Sequence, residues 1–477
     1  MVVGGGIAGM QASLDLADSG YYVYLVEESS SIGGHMAQLD KTFPTNDCSM
    51  CIISPKLVEV SKHLNVEIIP SSKIKKIDGD AGNFKVTLSK SPRFVDLEKC
   101  NACGDCIEKC PVYLLNEFDE ELGSRTAIHK RYPQAIPNAM LISKTERPPC
   151  VITCPTSVNV QGYAALAAEG RFEEAYKVIK RQNPFPSVCG RVCHHPCELE
   201  CNRKEVDEPV AINPLKRFIS DYVRDKKKHG TEEEKTTLFA EKPVIDPQKP
   251  KVAIVGSGPS GLTAAQDLAF LGYPVTVFEA LPTPGGMMLT GIPSYRLPKE
   301  VLQEEIQEIL DLGVELKVNT PIGKDLSLSG LTQKGYQAVY VAVGAKVSRS
   351  LPLEGTGLEG VLGGVEFLKE ISLGMKPSIG KRVAVIGGGN VAVDVSLSAL
   401  REGAEEVEMF CLEKREEMPA HEWEIEDALE EGVKINCSWG PTRFEGSKGK
   451  VTGVNFKRCT AVFDAEEIGR ASCRERV

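Results

Sequence analysis

The sequence has no long hydrophobic run, no apolar leader and no excess of positive charge. No stretch approaches the roughly 18 consecutive apolar residues that a membrane helix needs. No charged segment followed by an apolar one opens the chain, so we expect a cytoplasmic protein without membrane insertion. The 56 basic residues are outnumbered by 66 acidic ones, and a net charge of -10 disfavours nucleic acid as a partner.

Cysteine, by contrast, is abundant. Twelve of the 16 cysteines lie between Cys48 and Cys201, and in a long chain without a leader this clustering favours metal ligation over disulfides. Four of them have the spacing C-x2-C-x2-C-x3-C-P, which is the bacterial ferredoxin signature for a 4Fe-4S cluster. These four are Cys100, Cys103, Cys106 and Cys110.

A glycine-rich segment occurs twice, at an offset of 252 residues. Each copy predicts a strand, a glycine turn, a helix and a second strand, as at the start of a dinucleotide-binding unit. The predicted binding residues are Gly4, Gly6, Gly9, Glu27 and Gly34 in the first copy, and Gly256, Gly258, Gly261, Glu279 and Gly286 in the second. The helix N-terminus would face a pyrophosphate, and each glutamate would accept hydrogen bonds from a ribose. A glycine turn in an ordinary parallel sheet is the alternative.

A third glycine turn has alanine at the last position of the motif, which favours a nicotinamide nucleotide. Its predicted binding residues are Gly387, Gly389, Asn390, Ala392 and Glu413. A carboxylate at Glu413 would repel a 2′-phosphate and favour NADH over NADPH, although Lys414 and Arg415 weaken that argument.

Residues 338–345, AVYVAVGA, predict a buried strand that ends at a tight turn near the flavin, with Gly344 as a binding residue. Apolar residues at helical spacing from Glu300 predict a core-packing helix.

Together, GGGIAGMQASLDLADSGYYVYLVEE, SIGGHMAQLDKTFPTNDCSMC and the ferredoxin motif resemble the flavin and ferredoxin segments of the A-type subunit of heterodisulfide reductase. From PPCVITCPTSVNVQGYAAL onward, the chain is similar to the small subunit of glutamate synthase and to the flavoprotein half of dihydropyrimidine dehydrogenase. The second resemblance implies a helical iron-sulfur domain with ligands at Cys150, Cys154, Cys189, Cys193, Cys197 and Cys201. Two further cysteines usual in that family are missing before Cys150, and Lys216 stands where a Glu or Gln ligand is usual.

The cysteine pattern leaves several assignments open. The fourth ligand of the ferredoxin motif could be Cys110 or a later cysteine such as Cys154, and zinc could replace iron at Cys189 to Cys201. Cys48 and Cys51 could be a redox dithiol, but the resemblance favours cluster ligation. Outside the clusters, we interpret Cys411, Cys437 and Cys459 as buried packing residues, and His35, His194 and His195 as polar loop residues.

The predicted fold class is α/β, with Rossmann-like FAD- and NAD(P)-binding domains of the pyridine nucleotide-disulfide oxidoreductase type, plus ferredoxin-like and α-helical iron-sulfur domains. The predicted segments are an FAD-binding part (1–98), a ferredoxin-like part (99–146), a helical iron-sulfur domain (147–223), a charged linker (224–250), an FAD domain (251–350) and an NAD(P) domain (351–466). Residues 467–477 read like a translated sequencing adapter, and we expect them to be an artefact that leaves the NAD(P) domain truncated.

The function expected from these features is electron transfer between NADH or NADPH and an iron-sulfur or protein acceptor. A nicotinamide delivers two electrons as hydride and a cluster accepts one at a time, so one or two FAD groups are expected between the nicotinamide and two to three 4Fe-4S clusters. Expected partners are heterodisulfide reductase-like subunits or ferredoxin. The alternatives are a non-catalytic relay subunit and a zinc-stapled docking module.

Overall fold

The computed structural model describes residues 1–144, 147–231, 243–324, 326–460 and 462. Residues 232–242 of the predicted linker, and the predicted artefact 467–477 with Cys473, lie outside the described residues. Contacts divide the chain into two compact units. The first comprises Met1–Thr153 with Leu199–Val210, and the second comprises Cys154–Glu198 with the chain from Ala211 onward.

The first unit is built on a small parallel sheet of strand order β1-β2-β3, in which Val2 pairs with Leu25 and Val23 with Val66. Antiparallel hairpins β4-β5, β6-β7 and β8-β9 follow. The elements are β1 (Val2–Val3), α1 (Ile7–Asp18), β2 (Val23–Val26), α2 (Ser49–Lys62), β3 (Val66–Ile69), β4 (Ser72–Asp80), β5 (Asn83–Lys90), α3 (Asp105–Glu108), β6 (Tyr113–Leu115), β7 (Ser124–Thr126), β8 (Ile128–His129), β9 (Leu141–Ile142) and α4 (Pro149–Ile152), with 3₁₀ helices at Gly34–Gln38, Glu117–Asp119 and Asn202–Glu205. Apolar residues of α1 and α2 cover the sheet and bury Leu25 completely.

The second unit contains two further parallel sheets, of order β12-β11-β10-β13 and β14-β15-β16, and the antiparallel hairpin β17-β18. Its elements are α5 (Val160–Ala168), α6 (Phe172–Lys180), α7 (Pro186–Val192), α8 (Pro196–Leu199), α9 (Ile212–His229), β10 (Val252–Val255), α10 (Pro259–Phe270), β11 (Val275–Phe278), α11 (Met287–Thr290), α12 (Lys299–Leu310), β12 (Glu315–Lys317), α13 (Leu328–Gln333), β13 (Ala338–Val341), α14 (Gly364–Ser372), β14 (Arg382–Ile386), α15 (Asn390–Arg401), β15 (Glu406–Phe410), a 3₁₀ helix (Arg415–Glu417), α16 (Glu422–Glu430), β16 (Lys434–Asn436), β17 (Trp439–Ser447) and β18 (Lys450–Arg458). Among the described residues, no helix is both long enough and apolar enough to cross a bilayer.

The cysteine-bearing helix α7 shares a hydrophobic core with the sheet that contains β10. Phe185 and Val188, at and just after the start of α7, are buried in the same cluster as Leu302 and Ile306 of α12. The predicted helix from Glu300 is therefore confirmed as α12, and it packs on the iron-sulfur segment as well as on the sheet.

Helix α9 extends into the segment predicted to be a linker. It continues to His229, where the sequence predicted a solvated tether from Arg224. The reason is that basic residues at i, i+4 spacing meet an acidic residue of α12: Arg224 and Lys228 both pair with Glu304. The other predicted domain boundaries stay predictions.

The strand predicted in residues 338–345 exists, but the prediction that it is buried is wrong. Strand β13 is at the end of its sheet and pairs with β10 alone among the described strands. Tyr340, Val341 and Val343 are 44%, 56% and 58% exposed. Their apolar side chains suggested burial, but no second layer of described residues covers them.

Candidate nucleotide and iron-sulfur sites

The first two glycine turns have the same hydrogen-bonding geometry. In the first copy, the Gly5 N–H donates to Oε2 of Glu27 over 2.6 Å, and the Ser29 N–H donates to Oε1 over 2.7 Å. In the second copy, the Ser257 N–H donates to Oε2 of Glu279 over 3.0 Å, and the Leu281 N–H donates to Oε1 over 2.8 Å. Each carboxylate thus clamps its turn and still has lone pairs free for a ribose hydroxyl.

Close backbone approach explains why these turns need glycine. A Cβ on Gly261 would lie 2.0 Å from the carbonyl oxygen of Gly256, so the helix could not pack on the strand end. A Cβ on Gly286 would lie 2.6 Å from the Cα of Gly258, because the second glycine pair folds over the turn. A Cβ on Gly258 would meet nothing nearer than 3.9 Å, which fits a position left open for a pyrophosphate.

The predicted residues of the first copy are placed in the same way. A Cβ on Gly9 would lie 1.8 Å from the Gly4 carbonyl oxygen, and one on Gly34 would lie 2.9 Å from the Cα of Gly6. Gly6 itself has open space on its Cβ side. The residues present at both turns therefore fit a dinucleotide.

At the third turn, Gly387 and Gly389 lie between the end of β14 and the start of α15, Ala392 lies in the first turn of α15, and Gly387 has a φ of 140°. A Cβ on Gly388 would lie 3.1 Å from Oε2 of Glu413, so this carboxylate lies against its turn as Glu27 and Glu279 do.

The side chain of Asn390 is engaged elsewhere. Its Oδ1 accepts a hydrogen bond from the His421 N–H over 2.9 Å, and the Ala420 N–H donates to the Gly388 carbonyl over 3.1 Å. Asn390 thus fixes the segment before α16 over the turn. Gly344 has a φ of 65° and open space around it, as a tight turn after β13 requires.

Cys48 and Cys51 lie together at the N-terminus of α2. Cys48 is the N-cap residue, and its Sγ accepts a hydrogen bond from the Cys51 N–H over 3.4 Å. The hydrogen bond between the two thiols lowers the pKa of Cys48 and raises that of Cys51. Both thiols are exposed. This geometry suits either a redox dithiol or a pair of ligands.

The ferredoxin motif forms a loop with two left-handed residues, Ala102 at φ 61° and Gly104 at φ 96°. The Met140 N–H donates to the Cys100 Sγ over 3.3 Å, which is the kind of hydrogen bond that tunes a cluster sulfur. Cys110 is buried, whereas Cys103 is exposed. In the described part of the chain no three potential ligands are gathered at metal-binding distances, so the ligand sets stay predictions.

The six cysteines predicted in the helical domain are divided between the two units. Cys150 and Cys201 belong to the first unit by contact, and the other four belong to the second, namely Cys154, Cys189, Cys193 and Cys197.

Lys216 is buried, and its charge acts on three of these thiols, those of Cys154, Cys189 and Cys197. Burial raises the pKa of Cys189 and raises that of Cys197 to about 11, and the Lys216 ammonium opposes both rises. At Cys154, burial is outweighed by hydrogen bonds from Thr156 and main-chain groups together with Lys216, so its pKa is lowered. Lys216 therefore favours the thiolate forms that ligation requires.

A carboxylate of the β10 sheet domain caps the helix that carries Cys189. Glu305 of α12 is buried and accepts hydrogen bonds from the Ser187 N–H over 2.6 Å and from the Val188 N–H over 3.2 Å. These are free donors of the first turn of α7. No sequence pattern signalled this cap, because the partners are more than a hundred residues apart.

The sequence analysis also missed a cavity of about 380 Å³ beside the third turn. Its lining includes Arg191, Arg217, Arg296, His194, His195, Asn390, His421 and Trp423. The His421 ring stacks on Trp423 at 4.5 Å and on His194 at 5.4 Å between centroids, and His195 stacks on Trp423 at 5.3 Å. His194 and His195 lie in a loop, as the sequence analysis interpreted them, and their rings also stack beside this cavity.

Burial changes the protonation of one side chain that lines this cavity, and ion pairs fix the position of another. Burial, with smaller contributions from His194 and Arg296, lowers the pKa of His421 and favours its neutral, stacking form. Arg296 donates to both carboxylate oxygens of Asp394 over 2.9 Å and to Glu424 over 2.5 Å. The cavity thus lies between the loop after Cys193 and the third glycine turn. Stacked aromatic rings line it, together with the guanidinium of Arg296, which its two carboxylate partners hold in place.

The glycine turns, parallel sheets and cysteine segments together define a pyridine nucleotide-disulfide oxidoreductase fold joined to iron-sulfur modules. Family models match in the same order along the chain. They are the NAD(P)-binding Rossmann-like domain (2–53), the 4Fe-4S binding domain (93–115), dihydropyrimidine dehydrogenase domain II with a 4Fe-4S cluster (125–228), and pyridine nucleotide-disulphide oxidoreductase (250–466). The predicted fold class and cofactor types are confirmed at this level.

Two groups of relatives account for the two predicted resemblances. The chain is 42% identical over 324 residues to the NADP(+)-dependent formate dehydrogenase subunit beta of Moorella thermoacetica, covering 65% of this chain and 46% of that protein. It is 44% identical over 331 residues to the NADPH-Fe(3+) oxidoreductase subunit beta of Geobacter sulfurreducens, covering 68% of this chain and 47% of that one.

The second group is represented by an A-type iron-sulfur subunit of the CoB--CoM heterodisulfide reductase of Methanopyrus kandleri, the second of its two forms. The chain is 56% identical to it over 142 residues, which is 30% of this chain and 22% of that protein. The predicted resemblance to a fusion of the two families is confirmed, and the chain spans less than half the length of the relatives named here.

Proposed function

We propose that the protein is a flavin- and iron-sulfur-dependent oxidoreductase that transfers electrons between NAD(P)H and an iron-sulfur or protein acceptor. The observation that carries this proposal is the composition of the second unit. One compact body contains the turn bound by Glu279, the turn beside Glu413, and the cysteine-bearing helix α7, which shares a core with α12. The residues proposed for the nicotinamide, flavin and cluster sites thus belong to one body.

The chain's own residues bind and orient the cofactors. Flavin, when bound, exchanges hydride with a nicotinamide and single electrons with clusters. The turn of Gly256, Gly258 and Gly261 would hold the flavin dinucleotide, with Glu279 on its ribose. The turn from Gly387 to Asn390 would hold the nicotinamide nucleotide. Cys154, Cys189, Cys193 and Cys197, beside Lys216, would hold a cluster.

We propose that the third turn prefers NADH. The position of Glu413 against the turn supports this, since its carboxylate would repel a 2′-phosphate. The two bases that follow are paired with acids, Lys414 with Glu417 and Arg415 with Glu422. The two beta subunits are named for NADP(H), so relative affinity for NADH and NADPH is a direct test of this part of the proposal.

The first unit supports transfer to a partner protein. Its glycine turn has the same hydrogen-bonding geometry as the turn proposed for the flavin, and the ferredoxin motif follows on the same unit. Because the A-type subunit of heterodisulfide reductase is a relative, we propose a related redox protein, or ferredoxin, as the electron partner in the cytoplasm.

Anaerobic reduction by NADH tests the proposal. Reconstituted protein should contain acid-labile sulfide and flavin, and NADH should bleach the flavin absorbance before cluster signals appear in electron paramagnetic resonance spectra. A second candidate is a relay subunit without nicotinamide chemistry, which the similarity to heterodisulfide reductase supports. In that case dithionite would reduce the cofactors and neither NADH nor NADPH would. Zinc without labile sulfide would overturn both.

A further inference from the structure

Two cysteines follow neighbouring parallel strands of the third sheet at matching positions. Phe410 of β15 pairs with Asn436 of β16, and the Cys411 N–H donates to the Asn436 carbonyl over 3.1 Å. Cys411 and Cys437 are the next residues, so their side chains lie on the same face of the sheet. Neighbouring strands are about 4.8 Å apart, which is within the Cα separation of about 4.4–6.8 Å that a disulfide spans.

The register places the two side chains next to each other, and the Cys437 Sγ lies 3.8 Å from the Sδ of Met418. Cys411 is 2% exposed, as predicted for a buried packing residue, whereas Cys437 packs against the same core but is only half-buried. Burial, reinforced by Cys437, raises the pKa of Cys411 to about 12. Cys437 is therefore the thiol that a reagent reaches first.

Cys411 also packs directly on the nicotinamide-type turn. A Cβ on Gly388 would lie 2.9 Å from the Cβ of Cys411 and 3.1 Å from Oε2 of Glu413. The Cys411 Sγ contacts the Glu413 carbonyl at 3.6 Å, and the Trp439 N–H donates to the Cys411 carbonyl over 2.8 Å. Because no side chain separates Cys411 from the turn, a displacement of its Cβ displaces the turn and Glu413.

We propose that Cys411 and Cys437 are a modification site, at which a reversible disulfide weakens nicotinamide nucleotide binding to the Gly387–Asn390 turn. The regulatory part rests on the function proposed above, whereas formation of the disulfide does not. The oxidant is a low-molecular-weight disulfide such as oxidised glutathione.

The chemistry balances in two exchange steps. The Cys437 thiolate attacks one sulfur of the oxidant, so a mixed disulfide forms and one glutathione thiolate leaves. Cys411 then loses its proton and attacks the Cys437 sulfur; the protein disulfide forms and the second glutathione leaves. Two protein thiols are oxidised and one glutathione disulfide is reduced to two thiols.

The test uses the anaerobic, cofactor-loaded full chain, incubated with oxidised glutathione, alkylated and digested with trypsin. Cleavage after Lys and Arg places Cys411 in residues 402–414 and Cys437 in residues 435–443. We expect a crosslink between these two peptides, and a fall of at least fivefold in NADH affinity that dithiothreitol reverses. The Cys437→Ser variant should lose both effects.

Cys459→Ser is the matched control, because Cys459 is half-buried and near Gly440 but begins a separate tryptic peptide. This variant should behave like the wild type. A crosslink to Cys459, no crosslink at all, or a crosslink with unchanged NADH affinity would each overturn the proposal. If the reduced protein binds no nicotinamide nucleotide but the crosslink still forms, the proposed function fails and the modification site stands. Reversal by dithiothreitol in the wild type keeps the test valid if Cys437→Ser does not fold.

Discussion

The cap on α7 leads to a sharp prediction about how the cysteine segment is held. In Glu305→Ala, the N–H groups of Ser187 and Val188 lose their acceptor in a site that excludes water. Each unsatisfied buried donor costs about 1–3 kcal/mol, so the first turn of α7 should lose at least about 2 kcal/mol of local stability. Since 1.4 kcal/mol is a factor of ten, local opening should become at least about 30-fold more frequent.

Hydrogen–deuterium exchange read by mass spectrometry measures this effect peptide by peptide. Amides of residues 187–193 should exchange at least about 30-fold faster in Glu305→Ala. Glu305→Gln keeps one carbonyl acceptor and should show a smaller increase. Glu304→Ala is the matched control on the same helix, since Glu304 pairs with Arg224 and Lys228 and makes no cap. Exchange in Glu305→Ala within threefold of the wild type would refute the reasoning.

Three further predictions concern cofactor binding and tuning. Gly258→Ala should fold but retain less than a tenth of the flavin, because its Cβ would occupy the space left open for the pyrophosphate. Gly256→Ala would place a Cβ 2.3 Å from the Ala342 carbonyl oxygen and should yield little folded protein. Flavin content per chain and circular dichroism distinguish the two variants, and a Gly258→Ala variant with the flavin content of the wild type would contradict the expectation. Lys216→Gln removes a positive charge beside three thiols and should lower a cluster midpoint potential by on the order of 100 mV. A redox titration followed by electron paramagnetic resonance measures this shift. The control variant Arg217→Gln, which removes the charge of the exposed neighbouring residue, should leave the potential unchanged. Glu413→Ser should shift the ratio of NADPH to NADH affinity upward at least fivefold in binding titrations, and an unchanged ratio would show that this carboxylate does not select the nucleotide.

Features encoded within a short stretch of sequence were predictable. The glycine turns and the acids eighteen residues after them specify a strand, a turn and a helix by local rules, and the structure places Glu27 and Glu279 on their own turns. The helix α12 was predictable for the same reason, since its apolar residues repeat at helical spacing.

Features that depend on contacts between distant segments were not predictable. The cap of Glu305 on α7 and the stacking of His194 on His421 join residues that are more than a hundred positions apart in the chain. The exposure of β13 was missed because composition reports how apolar a strand is, not whether another layer covers it. The Cys411–Cys437 pair became visible only once the register of β15 and β16 was known.

The shared core of α7 and α12 limits how this protein can be divided for expression. A flavoprotein fragment that starts at Lys251 would lack Phe185 and Val188, so the apolar surface around Leu302 and Ile306 would be exposed to solvent. Helix α7 is therefore part of the scaffold of the β10 sheet, and a useful recombinant boundary lies before α5 and not after α9.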